Sequence, residues 1–227
     1  MNKEESIRSL FLIGLGGIGV LIVGGLVWAI VAGPGPVPIG SRGTEETGLH
    51  FVDDNDPAVG PGDAKVVVRM FEDFQCPSCE QAEPGLEYAM KKYSDKVRFV
   101  WNDFPLTSIH QNAKAAAIAA RCAEEQGKFW EYKTKLYDPA THDTWSNLAA
   151  PTDTFVSYAK GLGLNADSFA SCIANQNGLR KVQDDGAEAE SNNVNATPTV
   201  FVGNVRYVGA LTETEWDQAI QSQLPKS

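Results

Sequence analysis

Phe74-Gln75-Cys76-Pro77-Ser78-Cys79 decides the reading of this chain: a Cys-x-x-Cys placed where an apolar strand runs into a helix. Upstream, Ala64-Lys65-Val66-Val67-Val68-Arg69-Met70-Phe71 is β-branched and apolar, the pattern of a strand buried over most of its length. Downstream, Cys79, Ala82, Leu86, Met90 and Tyr93 recur at three- and four-residue steps. That spacing predicts a helix with one stripe in the core and Glu80, Glu83, Glu87, Lys91 and Lys92 in water. Pro77 suits the first helical position, where no N–H is needed, and Pro84 is expected to kink the helix. Cys76 then sits at the helix N-terminus, where unpaired N–H groups and the dipole favour a thiolate. Cys79 lies one turn later, near enough for the two sulfurs to cycle between dithiol and disulfide with little backbone movement.

A chain of 227 residues with 43% hydrophobic content has ample material for a core. Its net charge of −10, with no basic cluster, argues against nucleic acid or an anionic membrane surface as the main partner. Four cysteines, Cys76, Cys79, Cys122 and Cys172, permit three pairings, and their order alone does not choose among them. No second Cys-x-x-Cys or closely spaced His pair completes a zinc site, so no metal is expected.

Leu10 to Ala32 holds 23 residues without a charge. As a helix it is roughly 34 Å long at about 1.5 Å per residue, enough to span a hydrocarbon core of roughly 30 Å. Lys3 and Arg8 precede it and Arg42 follows, so the positive-inside rule puts the N-terminus in the cytoplasm and the remainder outside. A cleaved signal peptide is the rival reading. The apolar run is longer than a signal peptide's, and no Ala-x-Ala closes it, which favours an uncleaved anchor. Gly14-Leu15-Gly16-Gly17-Ile18-Gly19 mimics a dinucleotide-binding loop but follows no strand and is set aside. The expected organisation is a cytoplasmic N-terminus (1–9), a single-pass transmembrane signal anchor (10–32), a Pro/Gly-rich linker (33–62) and a folded domain (63–227). Leu49-His50-Phe51-Val52 is a candidate edge strand within the linker.

Within the domain, Lys96 to Trp101 alternates as a second strand, parallel to the first across the connecting helix. Helical patterns follow over 112–126, 128–137, 152–162, 166–174 and 179–193. The period then returns to two: Thr199–Val202, the turn Gly203-Asn204 and Val205–Val208 form a hairpin, before a last helix over 212–224 capped by Thr212 and Glu215.

This order of elements resembles the thioredoxin fold, an α/β fold, here with a helical subdomain inserted at about 107–193. The likeness is to DsbA-like thiol-disulfide oxidoreductases, in particular the membrane-anchored bacterial Thioredoxin_4 or BdbD-like group. It rests on Phe71-Glu72-Asp73-Phe74-Gln75-Cys76-Pro77-Ser78-Cys79, Phe104-Pro105-Leu106 with His110, Cys122-Ala123 with Gly127-Lys128-Phe129-Trp130, and Ala196-Thr197-Pro198-Thr199. The resemblance implies Cys76 as nucleophile and Cys79 as its resolving partner. It implies Pro77 and Ser78 as tuners of redox poise, Pro198 as the family's cis-proline, and Thr197 as a backbone contact for an extended client. It also implies a structural disulfide between Cys122 and Cys172. In one respect the chain departs from the family. Many relatives bury an acid six residues before the nucleophile, and here that position is Met70; Glu72 or Asp73 is the substitute, unless Asp73 faces solvent or caps the helix. His110 is read as a cap or surface residue, and Phe129, Trp130 and Tyr132 as subdomain core.

The resemblance further implies an extracytoplasmic protein disulfide oxidase on the bacterial cell membrane. It would donate the Cys76–Cys79 disulfide to reduced client proteins and be reoxidised by a quinone-linked membrane partner of the DsbB or VKOR type, with no cofactor of its own. A reductase or isomerase of the same fold is the first alternative. A redox-inactive chaperone or binding module is the second.

Overall fold

The computed structural model describes residues 43–52 and 55–225. The expected anchor at 10–32, its cytoplasmic flank and the first part of the linker lie outside the described residues. Among the described residues no helix is long and apolar enough to cross a membrane.

Six strands form one sheet in the order β1-β6-β5-β3-β4-β2 among the described residues. They are β1 (Thr44–Glu45), β2 (Ala58–Val59), β3 (Val66–Glu72), β4 (Val97–Asp103), β5 (Thr199–Val202) and β6 (Val205–Val208). Central β3 runs parallel to β4 and antiparallel to β5, as the helical crossover and the hairpin require. Its side chains alternate between two cores. Val66, Val68 and Met70 enter the main core, whereas Phe71 packs with Phe201, Ala189 and Val194 on the other face. The hairpin turns at Gly203, whose φ of +62° suits a residue without a Cβ.

The segment read as linker is partly pinned to the sheet, because β1 and β2 both arise from it and pair with the two outer strands. Leu49–Val52 forms no strand. Side chains on the neighbouring helix take its backbone donors instead: His50 N–H donates to Asn192 and Val52 N–H to Glu188. Phe51 meanwhile packs on Phe71 and Phe201.

Helix α1 (Pro77–Lys92) follows the first strand and runs on through Pro84 without a break. It lies so close to the last helix that a Cβ on Gly85 would stand 2.3 Å from the Leu211 carbonyl. The insertion comprises α2 (Ala113–Glu124), α3 (Phe129–Leu136), the short α4 (His142–Ser146), α5 (Thr152–Gly161), α6 (Ala166–Asn175) and α7 (Leu179–Ser191). Helix α8 (Glu213–Gln223) closes the fold with the expected capping box between Thr212 and Glu215. The alanines of α2 are nearly all buried, and their small side chains let neighbouring helices approach from several sides. The sequence pattern did not reveal α4, because its five residues are too few to show a helical period.

Cys122 on α2 is disulfide-bonded to Cys172 on α6, across a sequence separation of 50. Replacing both by alanine is expected to cost roughly 4 kcal/mol, the chain-entropy value for a loop of this size. Urea denaturation with Cys76 and Cys79 held in one redox state measures it, and an unchanged midpoint refutes it.

A second tie is ionic. Arg121, almost fully buried on α2, reaches Asp103 at 2.6 Å, Asp185 at 2.6 Å, Glu124 at 3.1 Å and Asp56 at 3.2 Å. Lys181 adds bonds to Asp185 and Asp56. One cluster therefore joins the end of β4, helices α2 and α7, and the strand-forming segment ahead of β2.

Candidate active site

Residues Asp73 to Cys76 form the turn from β3 into α1, and Cys76 is the N-cap of that helix. Pro77 begins the helix, and Pro77 and Ser78 are exposed. Cys76 is 7% exposed and Cys79 is fully buried; both are free thiols. The peptide bond between Thr197 and Pro198 is cis, and its loop lies against the helix start, with Cys76 Sγ 3.5 Å from the Thr197 carbonyl oxygen.

The two thiols ionise in opposite directions. Hydrogen bonding from Cys79 is the largest cause that lowers the Cys76 pKa, to about 5; Thr197 and the Cys79 and Ser78 N–H groups add to it, and partial burial opposes. Burial pushes Cys79 well above the ordinary thiol range, and its hydrogen bond to Cys76 and the nearby Glu72 charge raise it further. At neutral pH the pair therefore holds one thiolate beside one protonated thiol, the arrangement needed for attack by one sulfur and later resolution by the other.

A thioredoxin family model, Thioredoxin_4, matches residues 53–222. The chain belongs to the thioredoxin family. Among solved structures this thioredoxin-family protein is similar to the thiol-disulfide exchange protein alpha-DsbA2 from Wolbachia pipientis, with a TM-score of 0.65 at 16% identity over 76% of this chain and 89% of that one. It is also similar to BdbD from Bacillus subtilis, with a TM-score of 0.61 at 22% identity over 74% and 92% of the two chains. At these identities the likeness concerns the fold, which is DsbA-like. Among curated proteins it is 37% identical over 169 residues to Na(+)/H(+) antiporter NhaA 3 of Salinispora tropica, an alignment covering 74% of this chain and 25% of that protein. The chain thus spans about a quarter of the length of that relative.

Beneath the thiols of this thioredoxin-family site lies Glu72, the last residue of β3 and 2% exposed. The Cys79 thiol hydrogen-bonds to its carboxyl group. Met70, two residues earlier on the same face of the strand, is packed in the apolar core, so Glu72 is the buried acid at this end of β3. Burial pushes the Glu72 pKa up to about 8, with the Glu83 charge adding and the Cys79 bond and Lys133 opposing. Because the folded value exceeds the ordinary one of 4.5, this group's contribution to stability is complete below about pH 4.5 and is lost as pH rises through about 8. Glu72→Gln is expected to remove that slope, up to about 1.4 kcal/mol per pH unit. Urea midpoints of parent and variant at pH 5 and pH 8.5 test it; parallel losses in both proteins would count against it.

Asp73 neither faces solvent nor caps the helix. It is buried and accepts hydrogen bonds from the Gln75 N–H, the Leu106 N–H and His110 Nδ1. His110 is accordingly a partner of Asp73 at 2.7 Å, not a surface cap. Phe129 and Tyr132 are core as expected, while Trp130 is only partly buried.

Sequence reasoning missed Lys133, Glu83 and His142. Lys133 is buried on α3 and ion-paired with Glu83 on α1, which had been assigned to the solvent face. A signal was available, since Lys133 shares the stripe of Phe129, Tyr132 and Leu136, where a lysine must be paired. His142, on the unrecognised α4, is 2% exposed and bonds the Phe74 carbonyl through Nε2 at 2.8 Å. Nothing local in the sequence marks it.

Proposed function

We propose that this protein is an extracytoplasmic thiol-disulfide oxidoreductase that donates a Cys76–Cys79 disulfide to folding secreted or envelope proteins. The observation that carries the reading is the pairing of a stabilised Cys76 thiolate with a Cys79 held protonated above the buried carboxyl group of Glu72. A client thiolate attacks Cys76 of the disulfide, and Cys79 leaves. A second client thiolate then attacks the client sulfur of the mixed disulfide, and Cys76 departs readily because its anion is stabilised. The client gains one disulfide and the enzyme holds two thiols. The two electrons pass to a quinone-linked membrane oxidase of the DsbB or VKOR class. In this reading Glu72, protonated at neutral pH, gives a proton to the departing Cys79 and takes it back on reoxidation, Pro77 and Ser78 tune the thiolate, and the Thr197 and Pro198 loop receives the client backbone. The uncharged 10–32 run holds the domain at the outer face of the cell membrane. Antiport is not carried over from the curated relative, three-quarters of which lies outside the match.

The Cys76 thiolate exists only when the pair is reduced, so every group that stabilises it favours the reduced protein and raises the potential. Equilibration with glutathione buffers is expected to give a value between about −270 and −120 mV, the range from thioredoxin to DsbA. The reduced form should also melt above the oxidised one. Because the folded Cys76 pKa is depressed from 9.0 to about 5, this gap is complete above about pH 9 and closes as pH falls towards 5. A potential at or below that of thioredoxin would make the protein a reductase.

A further inference from the structure

The three residues that precede the nucleophile are each clasped by side chains or backbone from the segment between Leu106 and Leu148. Asp73 accepts from Leu106 N–H and His110 through its carboxylate, and from the Tyr137 hydroxyl through its carbonyl at 3.1 Å. The Phe74 carbonyl is bonded by His142 Nε2. Gln75 uses both ends of its amide: Oε1 accepts from Asn112 N–H at 2.7 Å and Nε2 donates to the Ser146 carbonyl at 2.8 Å. Asn112 in turn donates its side-chain amide to Ser146 and Leu148, closing a ring between the starts of α1 and α2 and the end of α4.

His142 is held as firmly as the turn it holds. Its ring stacks on Tyr137 at 6.2 Å and meets Trp145 edge-on at 5.4 Å. A carbonyl can only accept, so the ring carries a proton on Nε2. Its Nδ1 faces Glu80 at 3.3 Å and Asp143 at 3.9 Å.

We propose that Gln75 and His142 are positioning residues for Cys76, through which the helical insertion fixes the turn that aims the sulfur at the α1 N–H groups. The insertion is then part of the machinery that makes the thiolate, and not only a cover over the core. The physical reason is directional. Hydrogen bonds to a thiolate weaken steeply with angle and distance, so a turn freed to rotate loses the interactions that stabilise the anion while the helix itself stays intact.

This inference takes Cys76 as the reactive thiol, as the proposed function does, but its test needs no client. The full chain, reduced at Cys76 and Cys79, is alkylated with iodoacetamide as a function of pH. Thiolate absorbance at 240 nm and a urea denaturation curve are recorded alongside. Gln75→Ala removes one clasp at a half-exposed site. His142→Phe keeps the ring packing and removes the donor. Each is expected to displace the alkylation profile to higher pH and slow the reaction at pH 5.5 by about threefold, as a shift of about one pKa unit from about 5 requires. His142→Gln restores an N–H donor and should recover part of the loss. Profiles superimposable on the parent, whatever the change in stability, would overturn the proposal and leave the clasps a purely structural role. If His142→Phe does not fold, Gln75→Ala decides alone. An unexpected redox potential would refute the donor reading and leave this proposal standing; an unmoved alkylation profile would do the reverse.

Discussion

Cys76→Ser is expected to abolish disulfide exchange with peptide thiols, by on the order of a thousandfold or more, because the other thiol at the site, Cys79, is fully buried and held protonated. The serine hydroxyl stays protonated where the Cys76 thiol, at about 5, is almost wholly ionised at neutral pH. Cys79→Ala should behave differently. It keeps the nucleophile and removes the resolving thiol, so mixed disulfides on Cys76 accumulate and appear as adducts that dithiothreitol releases. It also removes the hydrogen bond that is the largest cause of the depressed Cys76 pKa, so the alkylation midpoint should move up. Mass spectrometry of the adducts and pH-dependent alkylation measure the two effects. Retained turnover in Cys76→Ser would refute the assignment of the nucleophile, and an unmoved midpoint in Cys79→Ala would refute the hydrogen-bond account.

Arg121→Met should be among the most destabilising single changes, at about 3–5 kcal/mol, because it leaves buried carboxylates uncompensated. Asp103 and Asp185 are almost fully buried; Asp103 loses its shortest contact and Asp185 one of its two shortest, and Lys181 alone cannot serve them along with Asp56. The variant's deficit should depend on pH in a defined direction. Burial already raises Asp56 and Asp185, with neighbouring carboxylates adding, so their folded values lie above the ordinary 3.8. Such groups stabilise the fold fully below that value, and the contribution falls away as pH rises through the folded value. Loss of the guanidinium moves both further up, so the deficit should be large at pH 8 and shrink towards pH 5. Adding Asp103→Asn and Asp185→Asn to Arg121→Met should recover much of the loss, since removing a buried charge set together is far less costly than breaking it. Urea curves at the two pH values test this. A deficit independent of pH would point to lost packing of Arg121 over Phe129 as the cause.

The central βαβ unit, the closing hairpin, the last helix with its capping box and most insertion helices were legible from local pattern. Each carries its own period, breaker or cap, and such signals need only neighbours in sequence. Cys76 at the head of a helix and Cys79 one turn later were likewise fixed by spacing. What local pattern could not supply was anything decided by which elements meet. The segment from residue 43 to 62 reads as a linker by composition, yet its backbone is partly taken up by outer strands and by Asn192 and Glu188, which lie far away in sequence. Pro84 is expected to kink its helix, which runs through it as a single element from Pro77 to Lys92. The choice between Glu72 and Asp73 turned on one step of strand alternation at the end of β3: Glu72 lies under Cys79, and Asp73 anchors the loop of His110. Lys133, His142 and the Arg121 cluster depend on the same circumstance. A charged or polar side chain can be buried only where distant elements bring its partners together, and that is a property of the tertiary structure alone.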